Sequence, residues 1–346
     1  LGLHATPLQS ALVQSSYVQR KLKETIQPLS TPPNSIPGTH RFAHEAMGTT
    51  FEICIADSDA GYAEQAAWAA FDELDRLEQE LSRHVENSDI SRINNLAANQ
   101  PLQIGLAAFE CLQLCVRISA ETNGAFDATI GSLLDCWLKE NGTRRSPSKE
   151  DVNLARQRTG LHLMELDEAG HTVQLQMSPV QIDLGGIGKG YAVDRMAALL
   201  RDWSIDAALI HGGYSSVLAI GEPQGTKGWP VTLSYPGNHR RTIAHFDLQN
   251  RAISGSGLQK GQHIIDPRSG QPVKSKRAAW SLAPTAAIAD ALSTALMVMT
   301  PDEVRQYCLS HPDTLAMIVT EVGNTDTQEG GILRYGPWNG HLLRER

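Results

Sequence analysis

The strongest constraint on this chain is residues 181–200, QIDLGGIGKGYAVDRMAALL, where an apolar run ends at Asp183, crosses four glycines and one lysine, and continues in a helical pattern. Gly185, Gly186, Gly188 and Gly190 strip side chains from the bend, so a ligand can approach the backbone closely. The first N–H groups of a helix are unpaired and carry partial positive charge, so such a bend suits an anion. A tight strand-to-helix turn without any ligand fits the same residues. The segment is not a P-loop, because Lys189 is followed by Gly190 where Ser or Thr would ligate magnesium. It is a poor dinucleotide fingerprint as well, since GGIGKG misplaces a glycine and no regular βαβ unit surrounds it.

The rest of the composition narrows the ligand. A chain of 346 residues has room for one large or two ordinary domains. A formal charge of −8 argues against nucleic acid as a general partner, so any phosphate site must be local. The five cysteines form no CxxC pair, which points away from a disulfide framework or a zinc cage. Cys111 and Cys115 are spaced for packing on one helix. No stretch reaches the roughly 20 apolar residues of a membrane span. A start at Leu1 rather than Met fits trimming of an upstream segment, and a removed signal peptide or lipid anchor would leave no trace here.

Residues 1–40 read as an extension, an amphipathic piece followed by the Pro-rich linker PLSTPPNSIPGTH, with the globular part starting near Arg41. TTFEICIA alternates as a strand, Gly61–Arg83 has helical spacing, and a second helix is expected at about 105–121. GHTVQLQMSPVQIDL reads as a hairpin turning at Ser178–Pro179. After the glycine segment come a helix, five strands from AALIHGG to RAISGSG, the long apolar helix AAIADALSTALMVM and a strand around LAMIVTE. Helices and strands without regular βα alternation favour an α+β fold over a doubly wound sheet.

Within the apolar helix, Asp290 and Thr294 are four apart and so share a face. A buried carboxylate must be paired, hydrogen-bonded or metal-bound, and oxygen ligands of this kind suit Mg2+. Asp290 capping a neighbouring turn, with Thr294 bonding back to its own helix, explains the same pattern. In HIIDPRSGQPV, Asp266 and Gly270 mark a turn, and His263 is either structural or a general base facing a site. Met47 and Gly48 head a strand, while Gly124 and Asp127 read as a helix C-cap and N-cap.

In their order along the chain, MGT, LSRHVENSDISRIN, GAFD, DLGGIGKGYAVD, HGG, ISG, HIIDPRSG and ADALSTAL resemble the ApbE family of flavin transferases over about residues 43–300. The resemblance implies an α+β fold of mixed sheets with packed helices, T-fold-related in architecture, with residues 41–346 forming the flavin transferase domain, either whole or as two closely packed subdomains. It further implies a Mg2+-dependent enzyme that transfers the FMN half of FAD to a Ser or Thr hydroxyl of an acceptor protein and releases AMP. On that resemblance Met47, His84, Ala125, Phe126, Asp127, Asp183 and Lys189 would face FAD. The carbonyl of Gly186, with Asp290 and Thr294, would hold Mg2+, and His263 would act as base beside the scissile pyrophosphate. It also places the enzyme at the periplasmic face of a bacterial inner membrane, although no signal segment or lipid-anchor cysteine is visible. The chain departs from the family pattern at His84, commonly tyrosine, at Tyr214 in place of an acid, at Ile253 in place of threonine, and in a short segment between Ser254 and His263. An FAD pyrophosphatase sharing the same site and an FAD-binding carrier without turnover are the competing readings.

Overall fold

The computed structural model describes residues 36, 38–57, 59–139, 143–258, 263–320 and 331–338. The amphipathic piece and most of the linker expected in residues 1–40 lie outside them. The chain enters through β1 (Thr39–Ala46) and β2 (Thr49–Ala56), joined by Met47 and Gly48 at φ 50° and 69°. Positive φ at both central residues is what a two-residue hairpin needs to match the twist of its strands. Next come α1 (Ala60–Leu81), α2 (Asp89–Asn94), β3 (Pro101–Gln103), α3 (Leu106–Glu121), α4 (Gly131–Trp137) and α5 (Lys149–Gln157). They are followed by β4 (Met164–Asp167), β5 (Thr172–Leu175), α6 (Gly188–Asp202), β6 (Ala208–Gly212), β7 (Ser216–Ile220), β8 (Trp229–Tyr235) and β9 (Asn238–Leu248). The remainder is β10 (Ala252–Gly257), β11 (Ile265–Asp266), β12 (Gln271–Pro272), β13 (Lys276–Ala283), α7 (Ala286–Val298), α8 (Pro301–Ser310), β14 (Leu315–Thr320) and β15 (Ile332–Tyr335).

Eight strands form one sheet in the order β1-β2-β6-β7-β10-β13-β14-β15. Side chains alternate across a strand, so this sheet sorts its residues onto two faces. Phe51, Ile53, Ile210, Leu218, Ala279 and Ile318 pack with the helices. Cys54, Leu209, Val217, Ile253, Trp280 and Met317 pack instead beneath the β8–β9 hairpin, around Trp229 and Phe246. With both faces covered, the central strands read as continuous apolar runs rather than as alternating ones.

The α+β class with helices packed on sheets is as expected, and the pairing is almost wholly antiparallel. Every ladder between named strands among the described residues is antiparallel, and the parallel contact is the isolated bridge between Ile130 and Gln181. The hairpin expected to turn at Ser178–Pro179 is absent. β5 pairs with β4 and β3, and its continuation past Pro179 forms no strand. The Asn94 side chain takes over that backbone, receiving the Ile182 N–H at 2.6 Å and donating to the Ile182 carbonyl at 3.0 Å. Competition by a side chain from α2 is invisible to strand periodicity. The five cysteines are free, with Cys111 and Cys115 buried on α3 as their spacing suggested.

Candidate active site

The site rests on the crossing of α6 and α7. α7 is apolar on nearly every side, so it sits in the core and carries Asp290 with it, 3% exposed. α6 follows the glycine bend, and at Gly190 it approaches α7 so closely that any Cβ would run into the Ala286 carbonyl. The crossing thus explains one glycine of the motif by helix packing rather than by a ligand.

It also builds a cluster. The Gly190 N–H donates to Asp290 Oδ2 at 3.1 Å, and Lys189 Nζ lies 3.5 Å from the same oxygen while donating to the Gly185 carbonyl at 3.1 Å. A Cβ on Gly186 would sit 3.3 Å from Thr294 Oγ1 and 3.4 Å from the Phe126 ring, so the bend, α7 and the loop after α3 meet at one point. Thr294 Oγ1 is 3.2 Å from Ser256 Oγ on β10, closer than the 3.5 Å to its own helix carbonyl at Asp290. The back-bonded alternative for Thr294 is therefore the weaker of its two contacts. Ser256, which sequence reasoning passed over, also contacts Ser293 at 2.7 Å.

Asp183 ends the apolar run and binds its own turn, accepting the Gly185 N–H at 2.7 Å. Its other oxygen receives Arg83 at 3.1 Å, and Arg83 reaches Asp135 on α4 at 2.9 Å. Burial pulls Arg83 down, but the two carboxylates outweigh it and hold the guanidinium above its ordinary range. Arg83 precedes His84 in LSRHVENSDISRIN, and only the fold shows that it bridges α4 to the bend.

The loop after α3 has a different character. Asn123 and Gly124 both adopt positive φ and close the helix, with the Gly124 N–H on the Ser119 carbonyl at 2.8 Å. Ala125 and Phe126 are buried. Asp127 is not the helix N-cap its position suggested, because α4 begins only at Gly131, after Ile130. Its carboxylate instead accepts the Thr129 N–H at 2.8 Å, the Thr129 hydroxyl at 2.6 Å and the Leu161 N–H at 3.2 Å. Burial pushes the Asp127 carboxyl up, against those hydrogen bonds.

Met47 and His84 stand on the α1 side. The Met47 N–H donates to Glu78 at 2.8 Å, and His84 lies just beyond the end of α1. His263 is half-buried two residues before β11. The turn beyond it forms as read, with Asp266 accepting the Arg268 N–H at 2.9 Å and the Ser269 hydroxyl at 3.0 Å. Beside that turn, where Trp137 donates to the Gly270 carbonyl at 2.8 Å, Arg144, Arg145, Gln271 and Lys274 line a cleft of about 520 Å³. Its lining is basic in a chain of charge −8.

The residues fit a hard cation. Asp290 accepts one backbone hydrogen bond, with Lys189 3.5 Å away, and so keeps acceptor capacity, while Thr294 adds a hydroxyl one turn along the same helix face, next to Gly186. No group of three His, Cys, Asp or Glu that could hold a metal occurs among the described residues. One carboxylate with neutral oxygens is the sparse set that suits Mg2+, which keeps waters and substrate phosphate as its remaining ligands.

Known proteins are similar to this chain in sequence and fold. The FAD:protein FMN transferase of Klebsiella pneumoniae is 29% identical over 292 residues, covering 80% of this chain and 83% of its own. That of Escherichia coli K12 is 28% identical over 296 residues with the same coverage. The crystal structure of the ApbE protein from Thermotoga maritima superposes with a TM-score of 0.78 at 27% identity, over 89% of this chain and all of that one, 100%. Pseudomonas stutzeri flavinyl transferase ApbE, in its apo form, gives 0.76 at 26% identity over 86% and 94% of the two chains. The ApbE family pattern runs through residues 47–319, from the β1–β2 turn across the α6–α7 crossing to the end of β14, and on that match the chain belongs to the ApbE family.

Proposed function

We propose that this chain is an FAD:protein FMN transferase, moving the FMN half of FAD onto a Ser or Thr hydroxyl of an acceptor protein and releasing AMP. The observation that carries the reading is the convergence of Gly186, Lys189, Asp290 and Thr294 at the α6–α7 crossing, in a chain whose relatives bear that name. Residues 41–346 act as one catalytic unit.

In this reading the glycine bend takes the pyrophosphate, since missing side chains let it come close to the backbone beside Lys189. Asp290, Thr294 and the Gly186 carbonyl would hold Mg2+, and the bound ion would supply positive charge against the negative charge developing on the leaving phosphate. Lys189 contributes a second positive charge at the same point. Ala125 and Phe126 wall the flavin nucleotide, and Asp127 serves by holding their loop. Met47 and His84 border the nucleotide from the α1 side. Asp183, oriented by Arg83, meets FAD at the start of the bend. His263 accepts the proton of the acceptor hydroxyl as its oxygen bonds to the FMN phosphorus. The phosphorus–oxygen bond to AMP breaks in the same displacement. Little covalent chemistry falls to the protein, so alignment of hydroxyl, phosphorus and leaving oxygen supplies most of the rate.

By the family resemblance the reaction belongs to the periplasmic face of the inner membrane. Among the described residues no helix is long and apolar enough to cross a membrane. The reading is tested by mixing the protein with FAD, Mg2+ and a flavinylation-motif protein, then following AMP and the acceptor's mass. One FMN gained per AMP released supports it. AMP without a mass gain points to a pyrophosphatase, and tight FAD binding without either product points to a carrier.

A further inference from the structure

We propose that Asp194 is a positioning residue that sets where Asp290 stands. The inference rests on the reading of Asp290 as a Mg2+ ligand and concerns a residue outside that ligand set.

Asp194 closes the motif DLGGIGKGYAVD, one helical turn after Gly190 on α6. Its two carboxylate oxygens accept the first two N–H groups of α7, Ala286 at 2.7 Å and Ala287 at 2.8 Å. Those donors have no partner within their own helix. The cap from α7's own chain, Thr285, reaches a different amide, that of Ile288, at 3.3 Å. A Ser or Thr cap supplied by α7 would satisfy the amides, but it would move with α7. A carboxylate on α6 fixes one helix against the other.

The second point of the clamp is one turn away on each helix. Gly190 packs on Ala286 and donates to Asp290 Oδ2, while Asp194 holds Ala286 and Ala287. Two contacts offset along both axes determine the separation of the helices and also the rotation of α7 about its own axis. That rotation decides where Asp290 and Thr294 point. The far end of α7 is held in the complementary way. Buried Lys276 on β13 donates to the Leu296 carbonyl at 2.6 Å and to that of Met299. A negative charge at the amino end and a positive one at the carboxyl end both match the helix dipole, and both come from neighbouring elements. Metal ligands must be held within about 0.5 Å of working geometry by the residues behind them. Asp194 is placed to do that.

The test compares Asp194→Ala and Asp194→Asn with Thr300→Ala, which removes the hydroxyl cap of α8 at Glu303 and touches none of the amides that Asp194 holds. Mn2+ serves as the probe, its binding read by electron paramagnetic resonance in the presence of FAD. Asp194→Ala should weaken Mn2+ at least tenfold and lower kcat, while KM for FAD changes less than threefold. Asp194→Asn, which keeps one acceptor oxygen, should fall between Asp194→Ala and the wild type. Thr300→Ala should lower Tm without moving Mn2+ affinity. Wild-type Mn2+ affinity in Asp194→Ala, or an equal loss in Thr300→Ala, overturns the proposal. If Asp194→Ala does not fold, Asp194→Asn carries the same comparison. A wild-type chain that binds no Mn2+ removes the metal reading, and hydrogen exchange then separates the two ideas. Faster exchange at residues 286–292 in the Asp194 variant keeps the clamp, whereas unchanged exchange removes it too.

Discussion

Two buried aspartates, one in the loop after α3 and one on α7, stand in opposite conditions. Asp127, in the loop after α3, accepts three hydrogen bonds from Thr129 and Leu161. Asp290, on α7, accepts one from Gly190 and has Lys189 at 3.5 Å. Both are at least nine-tenths buried, so burial does not tell them apart. Unspent acceptor capacity does. A carboxylate whose lone pairs are consumed by its own chain holds structure, whereas one left partly unused inside the protein is available to a cation.

The sharpest way to break this contrast is to delete each carboxylate. Asp290→Ala should cut Mg2+-dependent AMP release by at least about 10²-fold while far-UV circular dichroism is unchanged. Turnover near the wild-type rate would remove Asp290 from the site. His263→Ala should slow transfer by about 10²-fold or more with FAD affinity retained, read by single-turnover mass analysis. Undiminished transfer would return His263 to a structural role.

Asp127→Ala should act on the fold. It strands the Thr129 and Leu161 N–H groups away from their acceptor, costing about 3 kcal/mol in urea unfolding, and the folded fraction should keep its Mg2+ affinity. A variant of normal stability with poor Mg2+ binding would reverse the assignment of the two aspartates.

Asp194 sharpens the comparison through pH. Burial pushes its carboxyl up to about 6, above the ordinary aspartate value. A raised folded value means that the contribution to stability is fully present below about pH 4 and lost as pH rises through about 6. The unfolding free energy of the wild type, minus that of Asp194→Asn, should fall by about 3 kcal/mol across that window and be flat above it. A difference that rises with pH would show that the amides of Ala286 and Ala287 hold Asp194 ionised more strongly than burial opposes it. The smallest effect belongs to Lys189. Lys189→Met should weaken FAD about tenfold, near 1.4 kcal/mol, measured by flavin fluorescence.

The chain's local order is legible in its residues alone. β2, α1, α3 and α6 lie where strand alternation and helical spacing put them, because a half-buried element must repeat its apolar residues at its own period, and α7 follows from its long apolar run. The spacing of Asp290 and Thr294 likewise places both on one helix face, and the turn at Asp266 follows from the chemistry of the few residues around it. The sequence by itself thus determined which residue types stand on which element. The tertiary structure alone decided which of them meet. Arg83 joins Asp183 across 100 residues, Gly190 joins Asp290 across 100, and Asp194 joins Ala286 across 92. The expected hairpin at Ser178–Pro179 failed for the same reason, since Asn94 captured its backbone from 88 residues away. Periodicity reports the environment of a single element. Hydrogen-bond capacity is settled only when distant elements pack, and that settlement left Asp127 spent and Asp290 available.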